Sequence, residues 1–278
     1  MHRTRIFTMT LLAMLAFAGN SLLCRLALKT TSIDAASFTG IRLLSGALIL
    51  LAITGIGRKK ISGSGDWLSA LVLFSYAAGF SFAYLKLSAA TGALLLFVAV
   101  QASMIGYGIY RGERLRSLQL CGLALAFSGL LALLLPGLSA PPISSALMMM
   151  FAGIAWGIYS LRGKSANDAI AVTAGNFLRT IPFAILLWCL LFANASLDKA
   201  GIIYAIGSGA LASGMGYAIW YTVLPALKTS TAATVQLSVP AIAAIGGIVL
   251  LDEHASLRLL LASIAILGGI ALVVLRKK

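Results

Sequence analysis

Charge is what this sequence has least of. Only 10% of its 278 residues are Asp, Glu, Lys or Arg, against about 25% in a soluble domain. That is too little to cover a water-facing surface. Acid is scarcest, with seven Asp and Glu against 21 Lys and Arg, for a net charge of +14. Nucleic acid does not account for the excess, because the basic residues sit between apolar runs instead of forming one tract. The same composition excludes extended disorder. The two histidines, His2 and His254, lie near apolar-run ends, and Cys24, Cys121 and Cys189 are far apart in apolar stretches. Neither C-x-x-C nor H-E-x-x-H spacing occurs. No metal or other cofactor is therefore expected, and the cysteines read as small packing residues.

What is abundant is apolar sequence, 60% of the chain. A bilayer core needs about 20 apolar residues per helix, so the length accommodates roughly ten spans with short connections and no separate soluble domain. Breaks in the apolar runs place the spans at 6–29, 33–55, 67–87, 89–110, 117–136, 142–163, 170–193, 200–224, 230–250 and 257–275. Membrane strands would alternate apolar and polar, whereas Leu120–Leu135 is apolar on every face. The first span also reads as a signal peptide, with His2-Arg3-Thr4-Arg5 before an apolar stretch and Ala16-Phe17-Ala18 resembling a cleavage site. The run continues through Leu28, which favours a retained helix.

Lys and Arg are unevenly shared between the two sets of connections, 14 on the side of the termini and 5 on the other, with Arg42 and Arg179 inside spans. The positive-inside rule then places both termini in the cytoplasm. The expected location is a plasma membrane, the inner membrane in a bacterium.

The two halves match each other. At a spacing of 140 residues Thr91 meets Thr231, Ile105 meets Ile245, Gly106 meets Gly246, Glu113 meets Glu253, and Gly129 meets Gly269. At 138 Gly19 meets Gly157, and at 137 Arg42 meets Arg179. The Glu and Arg matches weigh most in so apolar a chain. The chain reads as two five-helix repeats, 1–139 and 140–278. Five is odd, so the second enters the membrane from the opposite face. Inverted repeats recur in secondary transporters, where exchanging the conformations of the halves interchanges the inward- and outward-open states.

Ten spans, the five-plus-five repeat, an Arg in the second helix of each half, and a Glu followed sixteen residues later by a Gly resemble the drug/metabolite transporter superfamily. More narrowly, they resemble its EamA-type exporters and their YddG-like amino-acid exporter branch. The resemblance spans essentially the whole chain and implies export of small metabolites through a central cavity. It departs at one point: such families often have a proline in the fourth helix of each repeat, and Pro240 is matched in the first half by Val100. The fourth helix should be straighter than the ninth.

Candidate substrate-binding residues are the mid-span amides Asn20, Gln101 and Gln236 and the aromatic stripes. Amides in a water-free region need partners, whether a substrate path or a neighbouring helix. Tyr217, Trp220, Tyr221 and Leu224 share a helical face, as do Leu73, Tyr76, Phe80 and Tyr84. Trp156 and Tyr159 accompany Gly153 and Gly157, whose small-xxx-small spacing permits close packing. Trp220 and Tyr221 also suit a headgroup belt. A cavity lined by such rings suits an amphipathic solute with an apolar group. It is expected between the repeats, lined by helices 1, 3, 4, 6, 8 and 9.

Pro240 removes a helix N–H and displaces the carbonyl of Gln236; Pro182 does the same to Leu178. Pro240, Gly246 and Gly247 are candidate gating points, with helices 3, 4, 8 and 9 rocking. Thr231, Thr234 and Ser238 share a face, and their hydroxyls can bond back to their own helix. Arg42 and Arg179 each cost about 2.5–3.5 kcal/mol at a helix centre. They either attract a carboxylate or bond helix-end carbonyls, and their occurrence in both repeats favours the structural role.

All seven acids lie at span ends, which points to facilitated movement without obligatory proton coupling. A membrane-embedded enzyme would need His, paired Asp or a Ser–His couple within spans, and Asp252-Glu253-His254 supplies none of these. A non-transporting scaffold would not need the mid-span polar groups. The expected partners are the bilayer and a small solute, with no nucleic acid and the chain acting as a monomer.

Overall fold

The computed structural model describes residues 3–56, 64–112, 114–135, 137, 140–163, 168–227, 235–254 and 256–275. Glu113, Thr231 and Thr234 lie outside the described residues. Ten helices follow one another: α1 (Arg3–Thr30), α2 (Ala35–Ile56), α3 (Trp67–Tyr84), α4 (Ala89–Tyr110), α5 (Ser117–Leu134), α6 (Ile143–Gly163), α7 (Ala169–Leu190), α8 (Lys199–Ala226), α9 (Ser238–Leu251) and α10 (Leu257–Leu275). Among the described residues, nine are long and apolar enough to span a membrane, and α9 is the short one with 14 residues. The chain is an all-helical, multi-pass membrane protein. Both faces of its helices are apolar: Phe127, Leu131, Val249 and Ile264 point outward while Leu73, Phe80, Leu95 and Met149 are buried. That is the pattern of helices packed on one side and lipid-bathed on the other.

The packing follows the inverted repeat. α2 packs on α7, α4 on α9 and α5 on α10. α3 packs on α6 and α7, and its counterpart α8 packs on α1 and α2. α4 packs on α6, and α9 on α1. Exchanging α1–α5 with α6–α10 turns this set of contacts into itself, so the two halves form a pseudo-symmetric pair. Alternating traverses define a proximal face, holding Arg3 and the starts of α3 and α7, and a distal face, holding the ends of α1, α3 and α9.

Four of the seven acids are spent on helix ends. Asp34, Asp66, Asp168 and Asp198 cap the N-termini of α2, α3, α7 and α8, accepting from backbone N–H groups two or three residues on. These are the same two helices in each repeat. A capping carboxylate satisfies orphan donors and complements the helix dipole.

The ninth span holds one irregularity. Val235 and Gln236 are helical, Leu237 is a turn, and helix resumes as Ser238–Leu251, while residues 230–234 lie outside the described residues. Pro240 sits in the first turn of α9 and offers no N–H toward the Gln236 carbonyl. α4 runs through Val100 without interruption. Pro182 lies inside α7, which continues past it. α8 contains a π-helical stretch, Gly207–Met215, a widened turn that apolar periodicity does not announce.

Candidate functional site: an aromatic chamber closed at both faces

The centre of the bundle is aromatic because three helices aim rings at one point. Trp156 of α6 lies 5.0 Å from Tyr76 of α3 and 4.9 Å from Tyr217 of α8, centroid to centroid. Phe17 of α1 meets Tyr217 edge-on at 5.8 Å. α6 approaches closely because Gly153 and Gly157 lie against the backbone of α4 at Leu96 and Val100. These rings enclose a cavity of about 20 Å³, completed by Asn20 and Ser21 of α1, Phe80 of α3, and Leu96 and Phe97 of α4. That is room for about one water, far below the 300–1,000 Å³ typical of ligand pockets. The chamber is shut in this conformation.

Its polar groups form a chain. Asn20, 5% exposed, donates from Nδ2 to the Tyr76 hydroxyl at 3.2 Å and accepts from Ser208 Oγ at 2.7 Å. Arg42 Nη2 donates to the same Tyr76 oxygen at 3.1 Å. Ser208 belongs to the π-helical stretch of α8, and Gly209 beside it is pressed against the backbone of α2 at Arg42. Arg179, by contrast, donates to the carbonyls of Ser64 at 2.7 Å and Gly175 at 2.9 Å.

Asn20, Tyr76, Phe80, Trp156 and Tyr217 line the chamber together. Tyr84 and Tyr159 extend the aromatic stack beyond it: Tyr84 packs on Phe80 at 4.8 Å, and Tyr159 packs on Trp156 at 5.6 Å while accepting from Asn176. Gln101 is buried in α4 and Gln236 half-buried before α9, and neither is among the lining residues. Among the described residues, none from α9 lines this cavity in this conformation. α9 instead packs on α1, with Gly246 seated against Leu22, and Gly247 lies near Glu253 and Ala89. Both glycines are close-contact points. Ser238 bonds back to the carbonyl of Val235. Sequence reading missed Phe17, Ser21, Leu96 and Phe97, which look like ordinary span residues.

A polar cluster, here called a latch, joins helices at each face. At the distal face Arg25 pairs with Glu253 at 3.0 Å and donates to the carbonyls of Tyr84 and Leu85. The second carboxylate oxygen of Glu253 accepts from the Ala89 N–H at 2.8 Å, and Lys29 donates to the Leu251 carbonyl. Asp34 ties the start of α2 to the Ser196 backbone. At the proximal face Arg162 pairs with Asp66 at 3.0 Å and donates to Ser69, while the Asp66 N–H donates to Asn176. Burial pushes the carboxyls of Asp34 and Asp66 up, but the hydrogen bonds they accept outweigh it and hold both below the ordinary value. One signal for these latches was present in the sequence: Arg25 and Arg162 stand 137 residues apart, the spacing of Arg42 and Arg179. A larger crevice of about 410 Å³ opens on the distal face between Lys86, Pro141 and His254. It lies away from the aromatic centre.

Ten helices in two inverted halves around a polar-aromatic chamber define a transporter-type membrane fold. The EamA-like transporter family model matches twice, over residues 4–135 and 143–275, and the chain belongs to that family. It is 54% identical over 270 residues to the uncharacterized protein PA1977 of Pseudomonas aeruginosa, covering 97% of this chain and 94% of that one. It is 23% identical over 248 residues to the uncharacterized transporter YoaV of Bacillus subtilis, covering 84% and 85%. A solved crystal structure shares the fold with a TM-score of 0.69 at 17% identity, covering 99% of this chain and 98% of the other.

Proposed function

We propose that this protein is a secondary transporter exporting small metabolites, with amino acids the best-fitting class, by alternating access through the central chamber. The observation carrying this is the chamber itself. An apolar-walled space with an amide and phenols at its centre lies between two pseudo-symmetric halves and is latched at both faces. Exchange of the halves supplies the two open states. The repeats divide at 139/140, and α3, α4, α8 and α9 are the moving elements, with Pro240, Gly246 and Gly247 the points at which α9 yields. The 14-to-5 distribution of Lys and Arg supports cytoplasmic termini in a bacterial inner membrane. The proximal face is then cytoplasmic.

Transport is facilitative in this reading. The described acids cap helices, end α9 or hold the distal latch, which leaves them poorly placed as mid-membrane proton carriers. The test is a solute screen in proteoliposomes containing only this protein, followed by flux under an imposed pH gradient without a solute gradient. Flux of a small metabolite down its gradient is expected. Failure to move any solute would end the transport reading. Uphill accumulation abolished by a protonophore would end the facilitative one.

A further inference from the structure

Arg42 and Arg179 occupy matching places in the repeats but have different surroundings. Arg179 is half-buried and bonded to two backbone carbonyls. Arg42 is 2% exposed. Its one side-chain hydrogen bond among the described contacts runs from Nη2 to the Tyr76 hydroxyl, and its Nη1 is buried with no hydrogen-bond partner. Among the described residues, the ionisable groups that bear on it most are the phenols of Tyr76 and Tyr217 and the thiol of Cys24. Its guanidinium lies 4.8 Å from the ring centroid of Phe80 and 5.3 Å from that of Tyr76. Both rings are walls of the central chamber.

A buried donor left unpaired is destabilising, on top of the cost of the charge. Cation–π contact with two rings offsets part of this. A purely structural Arg would bond backbone carbonyls, as Arg179 does through Nη1. An open, preorganised fork behind the movable wall of a solute chamber has another use.

We propose that Arg42 is the anion-reading residue of the chamber, and that the transported solutes carry one carboxylate on an apolar body. This rests on the transport reading and names its substrate class. A displacement of α3 that widens the chamber also moves Tyr76 and Phe80 off the guanidinium. The planar fork then meets a carboxylate in bidentate fashion. One guanidinium balances one negative charge. A phosphate dianion would leave a second charge unpaired in a low-dielectric site, where that is most costly. The solute's apolar part packs against Trp156, Tyr217 and Phe17, whose faces also tolerate an amine.

The experiment is equilibrium binding of 3-phenylpropionate and 3-phenylpropanamide, and of L-phenylalanine and L-phenylalaninamide, to the purified full chain in lipid nanodiscs. The wild type should bind each acid more tightly than its amide. Arg42→Gln should weaken acid binding by about tenfold or more, the range for losing a charged hydrogen bond, and leave amide binding within about twofold. Arg42→Lys, which keeps the charge but not the fork, should retain the preference for acids at reduced affinity, and covers the case in which the Gln variant does not fold. Arg179→Gln should leave the preference intact. Equal binding of acid and amide by the wild type, binding of neither, or unchanged acid binding by a folded Arg42→Gln protein would each overturn the proposal. Proteoliposome flux separates this from the broader reading. Transport of neutral solutes with no acid preference leaves the transporter standing without its anion site, and acid binding without flux does the reverse.

Discussion

Arg25 of α1 holds Glu253 across 228 residues of sequence, and the same carboxylate accepts the backbone N–H of Ala89 at the first turn of α4. One side chain from the α9–α10 connection thus joins the first helix of the first repeat to its fourth. The pair is largely buried, with side-chain exposures of 15% and 10%, so it is screened little by salt.

Glu253→Gln keeps the shape but leaves the Arg25 charge without a partner. The variant should be destabilised by about 1–3 kcal/mol and should open more often at the distal face. A cysteine placed at Ser21, a chamber residue, should be labelled severalfold faster by a water-soluble reagent from the distal side than in the wild-type background. Equal labelling rates would remove the pair from the gate.

Arg179→Gln removes two donors to the Ser64 and Gly175 carbonyls. The expected result is a lower melting temperature, equivalent to about 1–3 kcal/mol, with the affinity of any transported solute unchanged. A solute-affinity loss at intact stability would give Arg179 a role in the chamber.

The carboxyls of Asp34 and Asp66 are held below the ordinary value by accepted hydrogen bonds that outweigh burial. A depressed carboxyl contributes its stabilisation fully above the unfolded value, near 3.9, and loses it as pH falls through the folded value. Their contribution should be constant from about pH 8 to 5, begin to fall near about 4, and vanish only below the folded value. Asp34→Ala should cost about 0.5–2 kcal/mol at neutral pH, as loss of a helix cap does, and make the acid limb of a melting-temperature profile shallower. An acid limb identical to that of the wild type would show that Asp34 titrates alike in the folded and unfolded chain.

Pro240 stands in the first turn of α9, directly after the turn at Leu237. Pro240→Ala supplies an N–H and lets the helix continue back through Leu237, so exchange between open states should slow severalfold. Stopped-flow flux measures this directly, and unchanged rates would leave the turn with no part in gating.

The span boundaries were legible because lipid allows little else: apolar runs of the right length must be helical there. Within the ninth, the turn at Leu237 was not legible, since Leu237 is as apolar as its neighbours and hydropathy does not register a broken backbone. For the chamber, the rule that mid-span polar groups must face protein pointed to Asn20 and also to Gln101, which is buried but outside the cavity. The rule gives burial, not which side of a helix meets which neighbour. Arg42 and Arg179 make the same point. Their shared spacing was visible, but only the packing of α3 and of the Ser64 segment distinguishes the carbonyl-bonded guanidinium from the one packed against rings.

α8 differs from α3 in its π-helical stretch and in its length, 28 residues against 18. If the halves exchange conformations as proposed, they are unequal partners, and the states they exchange differ in energy. A carrier built this way has dissimilar half-saturation concentrations at its two mouths. If it is uncoupled from any ion, microscopic reversibility still forces the ratio of maximal flux to half-saturation to be identical in both directions. Its asymmetry can set the concentration at which outflow begins to saturate, but not which way the solute finally goes.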